Sequence, residues 1–147
     1  MRIDKVIAVV LGLALAVASS GQTLSGRTSE KLLRLHIING PAPLFPLDAL
    51  RNRQHGVVVA QIDVDPMGHI SAVRILEAPT PSMAESVSKA LPPWQFRAFT
   101  SSAGQGMSMS GKLTFYFEIE NRKGVVLNPS ETGYVGRPRQ DSRETSK

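Results

Sequence analysis

Hydrophobic and polar positions alternate with a period of two over several stretches of the chain and with a helical period over one. From Val57 the sequence reads VVVAQIDV. Val58, Ala60, Ile62 and Val64 share one face and Val57, Val59, Gln61 and Asp63 the other, which predicts a strand. DPMGH follows as a turn, with Pro66 setting φ and Gly68 supplying a positive one. ISAVRILEA then returns, so residues 57–77 predict a hairpin. In PTPSMAESVSKALPP the period lengthens, and Met83, Val87, Ala90 and Leu91 fall on one helical stripe. Thr80 with Pro81, or Ser82 with Glu85, supplies the N-terminal cap, and Pro92 and Pro93 forbid continuation. Trp94, Phe96 and Ala98 then alternate with Gln95, Arg97 and Phe99. The longest alternation is MSMSGKLTFYFEIE. Met107, Met109, Leu113, Phe115, Phe117 and Ile119 face one way; Ser108, Ser110, Lys112, Thr114, Tyr116, Glu118 and Glu120 face the other. Unbroken it would exceed about 40 Å, so Gly111 is expected to mark a bulge or the true start of the strand.

The earlier segments are shorter. LLRLHII, residues 32–38, alternates at Leu33, Leu35 and Ile37 and reads as a short strand, with a helical turn as the alternative. NGPAP breaks it. In PLFPLDALRNRQHG, Pro46 suits the first position of a helix whose Leu47, Ala49 and Leu50 turn inward until Gly56 stops it. The N-terminus has a short basic start, Arg2 and Lys5, and an apolar run over residues 6–18 closed by Ala16-Val17-Ala18, a small-x-small cleavage pattern. The run of about 13 residues would be roughly 20 Å long as a helix, short of the ~30 Å hydrocarbon core. A cleaved signal peptide over residues 1–18 is the expectation, with an uncleaved anchor as the alternative. Residues 19–42 read as a short spacer, and residues 121–147 as a polar, basic, loose tail whose one apolar stretch is residues 125–127.

Composition narrows the chemistry. The net charge is +5, but the basic residues are scattered among acids and no aromatic stacking platform accompanies them, so nucleic acid is not an expected partner. There is no cysteine, hence no disulfide and no thiolate metal site. His36, His55 and His69 lack a metal-like i,i+4 companion, and the residues around Gly111-Lys112-Leu113 are no phosphate loop. Asp63 and Asp65 flank a turn, where capping backbone amides is the ordinary role. Ser101 and Ser102 have no base nearby in sequence. No catalytic residue, metal or cofactor is expected, and the chain does not read as an enzyme.

The order helix, strand, strand, helix, strand predicts an α+β domain. A three-stranded antiparallel sheet in the order 2-1-3 carries two helices on one face, with an extra short N-terminal strand allowed by residues 32–38. The arrangement resembles the C-terminal domain of TonB and its relatives, periplasmic proteins that transmit force from the inner membrane to outer-membrane receptors. Pro43-Leu44-Phe45-Pro46-Leu47-Asp48-Ala49 is similar to that family's Pro-x-Tyr-Pro-x-x-Ala opening. Gly56-Val57-Val58-Val59 resembles its strand start, Gly68 and Ile70 its hairpin, and Trp94-Gln95-Phe96 its Trp-x-aromatic signature. The resemblance runs from Pro43 to about Ile119, within a domain taken as residues 43–120. It makes Pro43, Phe45, Pro46, Ala49, Gly56, Val58, Gly68, Trp94 and Phe96 structural signature positions. Trp94 is expected in the core between the second helix and the sheet.

What the resemblance implies is a protein-interaction module of the periplasm, with an outer-membrane receptor or another envelope protein as partner. An extended peptide segment of that partner would add to the edge strand Leu113, Thr114, Phe115, Tyr116, Phe117, Glu118 and Ile119. The same edge would permit pairing between two copies. The competing expectation is that this edge is blunted by Lys112, Glu118 and Glu120, or covered by the tail. Only about 24 residues separate Ala18 from Pro43, which favours a stand-alone envelope or regulatory protein that does not transmit energy. Membrane contact is expected only if the N-terminal run is retained.

Overall fold

A computed structural model describes residues 21–127. The expected signal peptide and the tail beyond residue 127 lie outside the described residues. Eleven elements follow one another there: β1 (Leu24–Arg27), α1 (Glu30–His36), β2 (Ile37–Asn39), α2 (Leu47–Arg51), β3 (Gly56–Val64), β4 (Ile70–Glu77), α3 (Pro81–Ala90), β5 (Gln95–Phe96), β6 (Phe99–Thr100), β7 (Gly106–Glu120) and β8 (Lys123–Leu127).

The expected hairpin and helix form where the pattern puts them. β3 and β4 pair antiparallel, and Val58, Ala60, Ile62 and Val64 of β3 are fully buried. At their turn the Asp65 carboxylate accepts the amides of Met67 and His69, each at 2.9 Å, while Gly68 takes φ 93°. The Gly68 carbonyl accepts the Phe96 amide at 2.9 Å, docking the hairpin tip onto β5. A Cβ on Gly68 would lie 2.0 Å from the Phe96 carbonyl oxygen. α3 is capped by Thr80, whose hydroxyl accepts the Met83 amide at 3.2 Å, and it buries Met83 and Val87.

The core lies between α2 and α3 and the inner face of β3 and β7. Leu113, Phe115 and Phe117 of β7 meet Ala49, Met83, Val87 and Leu91 there. Trp94 is 1 % exposed, meets Phe115 edge-on at 5.8 Å and donates its indole N–H to the Pro41 carbonyl at 3.0 Å. Its ring lies against Gly40, where a Cβ would come within 2.6 Å. The loop carrying the signature thus passes over the indole. Phe45 packs against Phe117, with ring centroids 5.6 Å apart, and covers Gly124 of β8.

Several expectations are corrected. Residues 32–38 are not a strand: α1 ends at His36, and only Ile37–Asn39 is extended, pairing with β5. Ser29 caps the helix and an Arg34–Glu30 pair at 2.9 Å spans one turn of it, so burying Leu33 alone suffices while Leu35 stays 61 % exposed. α2 stops after five residues rather than running to Gly56. The alternation after Trp94 breaks at Arg97, leaving Ala98 exposed and Phe99 buried, stacked on His36 at 4.1 Å. Gly111 is neither bulge nor boundary. β7 runs through it in register with Ile62, and the missing side chain leaves room for Leu33, whose Cδ1 lies 2.5 Å from where a Cβ would be.

The topology differs as well. β4, β3 and β7 are neighbours in that order, as 2-1-3 requires, but β7 is not an edge. The sheet is mixed, in the order β1-β7-β3-β4, with β6 and β8 also pairing with β7. Residues 121–127, expected to be loose, form a two-residue turn and β8. Among the described residues no helix is long and apolar enough to cross a membrane.

Candidate partner-binding edge

β7 has two edges, and they are filled differently. On one side β3 pairs with it continuously from Met109 to Phe117. On the other side three separate pieces meet it. β1 runs parallel along Met107, Ser108, Met109 and Ser110, and the Thr28 amide continues the contact by donating to the Ser110 carbonyl at 2.9 Å. β8 runs antiparallel along residues 116–120. Between them residues 111–115 have no ladder partner on that side. The Glu30 carboxylate fills part of the interval: one oxygen accepts the Thr114 amide at 2.7 Å and the other accepts the Thr114 hydroxyl at 3.0 Å.

This carboxylate is held by design of its own helix. Glu30 opens α1 and is fixed from one turn along by Arg34, which donates to the same oxygen that accepts the Thr114 amide. Leu33 anchors the helix over Gly111. A cavity of about 580 Å³ opens beside the contact, lined by Arg27, Thr28, Gln61, Ser110 and Lys112 among others. The Ser110 hydroxyl donates to the Asp63 carboxylate across the β3–β7 pair.

The predicted edge residues therefore divide. Leu113, Phe115 and Phe117 point into the core and are fully buried. Thr114, Tyr116 and Glu118 share the opposite face, half-buried. Thr114 is held by Glu30; Tyr116, Phe117, Glu118 and Ile119 have ladder partners in β8. The signal for this cover in the sequence was the apolar residues 125–127, whereas Gly111 read as a bulge or a strand start and nothing pointed to β1 or to Glu30. Of the signature residues, Ala49, Val58, Trp94 and Phe96 are in the core; Phe45 is half-buried against it. Among the described residues no three His, Asp or Glu side chains gather as a metal ion would require.

Among the described residues Asp65 is the one titratable group clearly shifted. The amide of His69, before that of Met67 and the nearby imidazole, holds its carboxyl below the ordinary carboxylate value. That fits a turn-capping role.

Comparison with known proteins agrees with the fold. Residues 41–119 match the family model described as the Gram-negative bacterial TonB protein C-terminal domain. Among solved structures, the solution structure of the Pseudomonas aeruginosa TonB C-terminal domain is similar at 24 % identity and a TM-score of 0.50, over 59 % of this chain and 88 % of that one. No curated protein matches the sequence. The family match spans more than half of the chain, so the protein belongs to the TonB C-terminal domain family.

Proposed function

We propose that this chain is an exported, non-enzymatic binding module of the envelope that receives an extended segment of a partner protein along the outer edge of β7. Members of the family are non-enzymatic, work through protein partners and face the periplasm. An outer-membrane transport receptor is the partner class the family implies. The observation that carries the reading is the make-up of that edge. It is not built into the sheet by the β3–β4 unit but filled from outside by a four-residue parallel strand, one carboxylate and a five-residue hairpin return. Strand addition needs backbone donors and acceptors in an extended row, which β7 supplies once these pieces yield.

A second reading is favoured by one feature. Residues 24–39, which fall between the apolar run and the signature loop, are folded onto the domain as β1, α1 and β2. They leave no long spacer between run and domain, which supports a stand-alone envelope protein over a force-transmitting one. Titration of the full chain with extended receptor-derived peptides tests the binding edge. Thr114→Pro should abolish capture, because it removes an edge donor; unchanged affinity with circular dichroism preserved would remove the edge from consideration.

A further inference from the structure

Two turns far apart in sequence meet at the end of the sheet away from the hairpin tip, and each places an arginine where glycine is the ordinary choice. The first closes α2. The Gln54 amide donates to the Ala49 carbonyl at 2.8 Å and the Arg53 amide to the Leu50 carbonyl at 3.1 Å, the paired bonds of a Schellman cap. Its left-handed position, φ 53°, is held by Arg53. The second joins β7 to β8. Glu120 pairs with Lys123, so Asn121 and Arg122 form a two-residue loop with φ 49° and 64°, for which Asn-Gly is the favoured dipeptide. Local backbone preference therefore argues against arginine at both places.

Both arginines nevertheless line one cavity of about 630 Å³, together with His55, Leu50 and Ile119. Three cation-capable side chains share the lining with two aliphatic ones. None of the three has an ion-pair partner among the described residues. Glu118 and Glu120, the nearest acids along β7, alternate away from Ile119, and neither is free of other interactions. Two guanidinium forks and an imidazole suit a phosphate oxyanion, which accepts several charge-assisted bonds at once. The cavity is far larger than a bare phosphate, and Leu50 and Ile119 in its lining suit hydrocarbon.

We propose that Arg53, His55 and Arg122 form a binding site for a phosphate monoester carrying an apolar chain, separate from the outer edge of β7. The shared chemistry is the phosphate; a lipid headgroup and free phosphate are distinguished by titrating the full chain with inorganic phosphate and with short-chain phosphatidic acid, followed by amide chemical shifts. Phosphatidic acid should saturate shifts at residues 53, 55, 119 and 122 and bind at least about tenfold more tightly than inorganic phosphate. Arg53→Gly and Arg122→Gly should each weaken it by about tenfold or more, whereas Arg97→Ala leaves it unchanged. Because glycine relieves the left-handed backbone, both glycine variants should melt a few degrees higher than the parent. Arginines kept for stability predict the reverse, so lower melting temperatures would overturn the proposal. Equal affinity for the two ligands, retained binding in the glycine variants, or shifts spread evenly over Arg74 and Arg97 would overturn it too.

Discussion

The two edges of β7 differ in how they are held. Toward β3 the strand is joined by nine consecutive register pairs, backed by Phe115, Phe117 and Leu113 in the core. Toward the outside it meets a short parallel strand, a single carboxylate and a hairpin return, none of them continuous with the next. β1 is exposed at three of its four positions, so little apolar burial holds it. One strand thus has a continuous, core-backed partner on one side and a cover of short, separate pieces on the other. The proposed capture of a foreign backbone draws on that asymmetry, because stability and openness cannot come from the same edge.

Breaking the rigid side should have the largest effect. Trp94→Ala removes the indole from Phe115, Gly40 and the Pro41 carbonyl at once, and should lower unfolding free energy by about 3–5 kcal/mol in urea titration; a loss under about 1 kcal/mol would mean the indole does not organise the core. Gly111→Ala strikes where the two sides meet. Its methyl would fall 2.5 Å from Leu33 Cδ1 and 3.1 Å from the Thr28 carbonyl oxygen. It should cost about 1–3 kcal/mol as overpacking, and Leu33→Ala in the same chain should recover part of that, so strict additivity would argue against the contact.

On the cover itself the effects shrink. Glu30→Ala should cost about 1–2 kcal/mol by removing a charged acceptor from the Thr114 amide and hydroxyl, and it should raise affinity for an added strand rather than lower it. A drop in affinity would make Glu30 part of the binding surface instead of its cover. The smallest effect belongs to neither edge and serves as a control. The Asp65 carboxyl sits below its ordinary value, so its contribution is present above about pH 3.9, its unfolded value, and fades as pH falls through the lower folded value. Asp65→Asn should flatten that acid limb without altering the β7 edge; an unchanged limb would assign it to other carboxylates.

How much of this was legible in the sequence follows the same division. The inner faces of β3 and β7 and the stripe of α3 could be read because burial on one face imposes a period, and Val58, Ile62, Met83, Val87 and Phe115 obey it. The cover was legible only in part, since its pieces are short and each buries at most one side chain, which leaves no period. Leu33 is the only buried residue of α1, while Leu32 and Leu35 beside it are exposed, so alternation there carried no information about burial. Likewise β8 owes its place to the turn at Asn121 and Arg122 and to Phe45 over Gly124, a contact between residues nearly eighty positions apart. Gly111 looked like an interruption of a strand because the side chain that fills its vacancy comes from another element.

Amide hydrogen exchange along β7 tests the asymmetry most directly, since neighbouring residues of one strand point their N–H groups to opposite edges. Thr114, Tyr116 and Glu118 face the cover, whereas Leu113 and Phe115 face β3. Exchange at the first three should be faster than at the other two by about a hundredfold or more, a difference of about 3 kcal/mol in opening free energy. Equal protection of the two sets, all exchanging only on global unfolding, would show that β1, Glu30 and β8 are as permanent as β3 and would contradict a removable cover.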